Sequence, residues 1–143
     1  ALNTARVAAL GGGAAVRVAF LGAVGADAHG ELLRCAAREA GVAALLKEVP
    51  GEDTGVVAVL VERRSRDRAL AAVRGASAAL DLAYLDEPSI AELIADASML
   101  YLTAYVMTSQ PRIAAVEELC ARARRSGGAV AVNLASAGGL PRA

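Results

Sequence analysis

Residues 16–33, VRVAFLGAVGADAHGELL, constrain the chain most. A largely apolar run rich in valine (16–24) meets a glycine-bearing turn and then an aspartate placed to open a helix. Such a run reads as a strand buried on both faces. Asp27 reads as the N-cap of a helix from about 28 to 40, and Gly41 as its stop. Leu32, Leu33, Ala36, Ala37 and Ala40 make its apolar face. A strand that feeds a helix through so short a turn is the first half of a βαβ unit. The chain is therefore expected to be α/β, with a mostly parallel sheet and right-handed helical crossovers.

The remaining pattern extends this reading. Leu2, Ala5, Ala9 and Leu10 recur at helical spacing until glycines 11–13 stop the helix. Residues 42–49 read as extended and 50–53 as a turn. The runs 54–62 and 68–73, separated by a short polar loop, predict a β-hairpin. A helix is expected over 89–97, entered through Asp86 and Pro88, and a strand over 98–106. Pro111 opens a long helix to Arg125 with Ile113, Val116, Leu119 and Cys120 on its apolar face, and 129–134 reads as another buried strand. In such sheets ligands gather beyond the strand C-terminal ends. That edge would hold residues 22–27, 103–109 and 133–139.

Composition limits the partners. The chain is 56% hydrophobic but only 3% aromatic, so its core is built from small and aliphatic side chains. Fifteen basic and fifteen acidic residues cancel, which gives no electrostatic case for nucleic acid or an anionic membrane. The basic cluster 62–68 is interleaved with acids and reads as a solvated turn. Cys35 and Cys120 are far apart and His29 is the single histidine, a set that argues against a zinc site. Reduced, buried thiols in a cytoplasmic protein are expected. No apolar run is long enough for a membrane span, and no cleavable signal is visible. The 143 residues suit one domain. The start without Met and the end soon after a strand read as part of a longer protein.

Gly22, Gly25 and Gly30 match neither the dinucleotide fingerprint nor the lysine-bearing phosphate loop. They are expected instead to shape a strand-to-helix turn, where glycine tolerates positive φ. No Ser-His-Asp or Cys-His array is present. His29 falls in a first helical turn, where it is expected at the surface. The acidic pairs Glu52–Asp53 and Glu117–Glu118 read as turn and helix surface. The residues alone support an α/β domain with a hairpin and no complete active site.

Four ordered segments resemble the ribokinase, or PfkB, family of sugar and nucleoside kinases. Residues 1–9, ALNTARVAA, resemble the end of the family's G-G-x-x-x-N motif, with Asn3 retained. Residues 18–42 resemble its G-x-x-G-x-D-x-x-G-x-x-L segment across Gly22, Gly25, Asp27, Gly30 and Leu33. The others are residues 53–77, and residues 98–111 continuing to 127–136. Within the family the pattern is most similar to that of the adenosine kinases. Thr54–Gly55 matches their T-G, Arg68 to Arg74 their R-S-L-x-A-N-L, Thr103 to Ser109 their aromatic-rich segment, and Asn133–Leu134–Ala135 their N-L-S. Val73 and Arg74 stand where Asn-Leu is usual, Val106 where a second Phe is usual, and His29 where Phe is usual.

The resemblance implies a ribokinase-like fold spanning 1–143, with the hairpin at about 54–73 as a lid. It implies ATP-dependent phosphorylation of the 5′-hydroxyl of adenosine, with Mg2+, in a protein that is monomeric at full length. A related sugar or nucleoside kinase, or a non-catalytic fragment, is the alternative. The resemblance gives Asn3 the ribose hydroxyls, Tyr105 stacking on the base, and Val57, Leu70 and Ala72 the apolar wall of the lid. It gives Arg68 a place near the transferring phosphate, where a fixed cation stabilises phosphoryl charge. The plain alternatives are a solvated hairpin arginine for Arg68 and core packing for Tyr105. The family's catalytic aspartate, in a G-A-G-D motif, and its N-x-x-E segment do not occur in these residues. The chain is thus expected to hold acceptor-site and lid residues and to be inactive in isolation.

Overall fold

The computed structural model describes residues 2–107 and 110–134. They form two compact units, 2–79 and 80–134, each containing one strand–helix–strand crossover.

In the first unit, α1 (Leu2–Gly12) ends in a short 3-10 turn at Gly13–Ala15. Then come β1 (Ala19–Val24), α2 (Ala28–Glu39) and β2 (Ala43–Glu48). β1 and β2 pair in parallel, in register from Ala19 opposite Ala43 to Val24 opposite Glu48. The strand expected from residue 16 starts at 19 because its ladder partner begins only at Ala43. Its burial is confined to Gly22, Ala23 and Val24. α2 is capped as expected: Asp27 is extended, at φ −132°, and accepts a hydrogen bond from the Gly30 N–H at 2.7 Å. Gly41 ends the helix region at φ +68°. The apolar face of α2 is covered only in part: Ala37 is fully buried, whereas Leu32 is 65% exposed. Two strands are narrower than that five-residue face, so its outer edge is left open.

The same unit carries an antiparallel hairpin, β3 (Thr54–Val61) and β4 (Arg68–Gly75), two residues longer at its end than expected. At the tip, Glu62 accepts hydrogen bonds from the backbone N–H groups of Arg64 (2.8 Å) and Ser65 (2.5 Å). Residues 63–67 are thereby folded into a tight turn in which Arg66 adopts φ +63°.

The second unit begins with α3 (Leu82–Leu85), which the sequence pattern did not resolve. It forms because Asp81 caps it, accepting from the Tyr84 N–H at 2.9 Å. Asp86 consequently closes this turn rather than opening the next helix. α4 (Pro88–Asp96) starts from Glu87, with Pro88 in its first turn. β5 (Met99–Thr103), α5 (Gln110–Arg125) and β6 (Ala129–Asn133) complete the unit. β5 and β6 pair in parallel from Met99 opposite Ala129 to Thr103 opposite Asn133. The strand expected over 98–106 stops at Thr103, where its partner strand also ends. Ala104–Val106 turn instead into a 3-10 segment. The core comprises Tyr84, Leu85, Ile90, Ile94, Leu102, Ala104, Ala115, Leu119 and Ala123. On α5 the buried line is Arg112, Ala115, Leu119 and Ala123, while Ile113, Val116 and Cys120 flank it half-buried. β6 was expected to be buried, but Val132 is largely exposed, since the strand has one ladder partner among the described residues. Cys35 and Cys120 are free thiols, half-buried rather than buried. No described helix is long and apolar enough to cross a membrane.

Candidate functional site

Antiparallel pairing puts directly opposed residues on one face of a ribbon and alternates faces along each strand. Val57 stands opposite Ala72, Val59 opposite Leu70, and Val61 opposite Arg68. One face of the hairpin therefore carries Val57, Leu70, Ala72 and Arg68 together. These are four of the six residues that the family resemblance singled out. Val57 is 59% exposed and Leu70 56%. The face is a free apolar strip that ends in a cation towards the tip. Among the described residues Arg68 has no carboxylate partner, so its guanidinium is open to an anion.

Asn3 lies exposed in the first turn of α1, where its amide makes no hydrogen bond to a described residue. Tyr105 belongs to the second unit. It sits in the 3-10 segment after β5, not in the strand, and is 51% exposed. The ring is not among the buried side chains of the second unit. Ala104 beside it is the buried residue. His29 is exposed on α2, as expected.

The glycine turn works differently from its expected form. Gly22, Gly25 and Gly30 all have ordinary negative φ. Their small size is needed for close approach. A Cβ on Gly25 would run into the backbone carbonyl of Glu52, and one on Gly30 would lie 2.5 Å from the Gly25 carbonyl oxygen. The turn is pressed against the segment that leads into β3. Spacing alone could not distinguish the two uses of glycine.

A polar pair at the β5–β6 edge escaped the sequence reading. The Asn133 amide donates to the Tyr101 hydroxyl at 3.1 Å. The register provides the reason: Asn133 faces Thr103, two residues beyond Tyr101 on the same side of the sheet. Residues 108–109 and 135–143 lie outside the described residues, and with them Thr108, Ser109, Ala135 and the rest of the expected 133–139 edge. Among the described residues no three or more His, Cys, Asp or Glu side chains come together as a metal site.

Two parallel βαβ crossovers and a protruding apolar hairpin define a class, the ribokinase-like α/β fold of sugar and nucleoside kinases. Comparison with known proteins agrees. The family model described as pfkB family carbohydrate kinase matches residues 1–140, and the chain belongs to that family. Among solved structures it is similar to the adenosine kinase of Sinorhizobium meliloti, with a TM-score of 0.84 and 24% identity over 97% of this chain. It is also similar to apo adenosine kinase of Trypanosoma brucei brucei (TM-score 0.78, 25% identity, 93% of this chain). A fructokinase of Xylella fastidiosa with bound ATP gives a TM-score of 0.77 at 24% identity over 92% of this chain. In each case the chain spans about 40% of the solved protein's length. No curated protein sequence matches significantly.

Proposed function

We propose that the chain carries acceptor-binding residues and the lid of a kinase that phosphorylates the 5′-hydroxyl of adenosine at the expense of ATP, yielding AMP. The observation that carries this reading is the hairpin register, which gathers Val57, Leu70, Ala72 and Arg68 on one exposed face. An apolar strip suits the flat face of a base, and the arginine beyond it suits a phosphoryl group in flight. Tyr105 adds an exposed aromatic ring for stacking, and Asn3 an amide for the ribose hydroxyls. Closure of the lid would exclude water from the in-line attack of the hydroxyl on the γ-phosphate. The described residues offer Mg2+ no ligand set. The metal therefore enters this proposal only as the companion of ATP, and no step is routed through it.

A sugar acceptor is the second reading, favoured by the likeness to a fructokinase at a TM-score close to those of the adenosine kinases. A substrate panel decides between them. With ATP as donor, the full-length protein is expected to prefer adenosine over ribose, fructose and pyrimidine nucleosides. Ribose or fructose outcompeting adenosine would overturn the nucleoside reading. The isolated 143 residues are expected to consume no ATP, and measurable turnover by them would refute the division of labour proposed here.

A further inference from the structure

The most densely bonded point of the first unit lies where the β1–α2 turn meets the start of β3. One oxygen of Asp27 (Oδ1) accepts from the Gly30 N–H at 2.7 Å and from the Thr54 hydroxyl at 2.6 Å. The other (Oδ2) accepts from the Thr54 N–H at 2.7 Å. The Thr54 hydroxyl in turn accepts from the Gly25 N–H at 2.9 Å. Thr54 is 4% exposed, so these groups are satisfied by one another rather than by water. Backbones close in around them. A Cβ on Gly55 would strike the Arg74 carbonyl, and one on Gly75, at φ +47°, the carbonyl of Asp53. The Ala76 N–H donates to that same Asp53 carbonyl at 2.8 Å.

Next to this root the Ser77 hydroxyl donates to the Arg74 carbonyl at 2.5 Å, and further out the ribbon is open to solvent. Residues 56–61 and 68–74 are all exposed. The ribbon from Thr54 to Val61 rises about 24 Å at ~3.4 Å per residue. A rotation of about 10° at its base would then carry the tip by roughly 4 Å, taking β-strand rise as the lever. The hydrogen bonds of Asp27 and Thr54 at the root are placed to set the direction of the Val57–Leu70–Ala72 face.

We propose that Asp27 and Thr54 are positioning residues for the lid. Their mutual hydrogen bonds fasten the hairpin root to the β1–α2 turn and fix the orientation of the acceptor-facing strip. This rests on reading the hairpin as a lid, and it extends that reading to two residues that touch neither acceptor nor phosphate. Asp27 has two tasks that can be separated. Capping α2 needs one acceptor for the Gly30 N–H, whereas holding both the hydroxyl and the N–H of Thr54 needs the full carboxylate, with Oδ2 taking the N–H.

The test measures hairpin position directly. In a background with Cys35→Ala and Cys120→Ala, spin labels at Arg38→Cys and Arg64→Cys report the distance from α2 to the hairpin tip by pulsed electron resonance. Thr54→Ser, which keeps hydroxyl and N–H, is expected to reproduce the parent distribution. Asp27→Ser, which keeps a capping oxygen for the Gly30 N–H, and Thr54→Val are expected to broaden it about twofold or more. A purely structural role would lower the urea midpoint of both variants yet leave the distribution unchanged well below the transition, and that result overturns the proposal. If Thr54→Val fails to fold, Asp27→Ser alone decides, because the helix cap survives in it. The measurement needs no turnover, so a protein without kinase activity would sink the functional reading while leaving this result standing.

Discussion

Arg122 closes on Asp86 at 2.6 Å while its Nη1 donates to the Leu85 carbonyl at 2.9 Å. Its Nε donates to Glu118, one turn earlier on α5, at 2.9 Å, and Arg125 shares that carboxylate. One planar fork thus ties α5 to the end of α3, in a form that an ammonium cannot copy. Arg122→Ala is expected to lower the urea midpoint of the second unit, and Arg122→Lys to restore only part of it. Raising the salt concentration should shrink the difference between parent and Ala variant. Equal midpoints for Lys and Arg would refute the bidentate account.

Asp27 predicts an acid limb. Hydrogen bonds from the Thr54 hydroxyl and N–H, and then from the Gly30 N–H, hold its carboxyl at about 2, against an ordinary 3.8. A carboxylate depressed by folding contributes its full stability above the unfolded value, and loses it as pH falls through the folded one. The stability gap between parent and Asp27→Asn should therefore be constant above about pH 4 and close between about pH 4 and pH 2. Urea titrations at half-unit pH steps check this, and a gap that stays constant down to pH 2 would contradict it.

Two glycines should respond to alanine in different degrees. Gly25 has the Glu52 carbonyl where a Cβ would go, whereas Gly41 has open space but φ +68°. Gly41→Ala pays only the left-handed backbone, about 1–2 kcal/mol. Gly25→Ala must push apart two backbone segments and is expected to cost more, about 3 kcal/mol, by the overpacking rule. Denaturant unfolding of the two variants gives the order directly.

The two faces of the hairpin should differ in function and agree in stability. Val57 and Val56 are both exposed, on opposite faces. Val57→Asp places a charge on the strip that would meet the acceptor, and its KM for adenosine in the full-length enzyme should rise about tenfold, a 1.4 kcal/mol effect. Val56→Asp should leave that KM within about twofold under the same arithmetic. Matching rises would show that the register does not select the acceptor face.

Arg68 should affect rate more than binding. Its replacement by glutamine is expected to lower kcat about 100-fold, the usual loss for one electrostatic contact to a transition state. Thermal stability should be unchanged because the side chain is exposed. A change in adenosine KM alone would place Arg68 among the binding residues instead.

The sequence made some of this visible and hid the rest for physical reasons. Periodicity found the crossovers because β1 and α2 each carry a signal within a few neighbouring residues, and Asp27 at the cap is such a signal. The hairpin was legible for the same reason. That Val57, Leu70, Ala72 and Arg68 share one face followed only once the register paired Val57 with Ala72. Long-range contacts left no local trace. Nothing in the spacing of Asp27 and Thr54, 27 residues apart, announces that one holds the other. The glycines were found but misread, since close approach to Glu52 is a tertiary fact. Tyr101 and Asn133 were overlooked as a pair because only the β5–β6 register brings them together.

The hairpin also bears on how this polypeptide behaves at high concentration. Each strand of a two-stranded ribbon has one backbone edge outside the pair, and here both faces are apolar, with Val56, Val59, Leu60 and Val73 exposed beside Val57 and Leu70. Such a ribbon can recruit a strand from a passing chain and seed precipitation. Arg63, Arg64, Arg66 and Arg68 crowd the end where the two strands join, with Arg74 near the other end. Charges flanking an unavoidable apolar strand act as gatekeepers against such recruitment. The arginine-rich tip that first read as an ordinary solvated turn stands where such a gatekeeper would act.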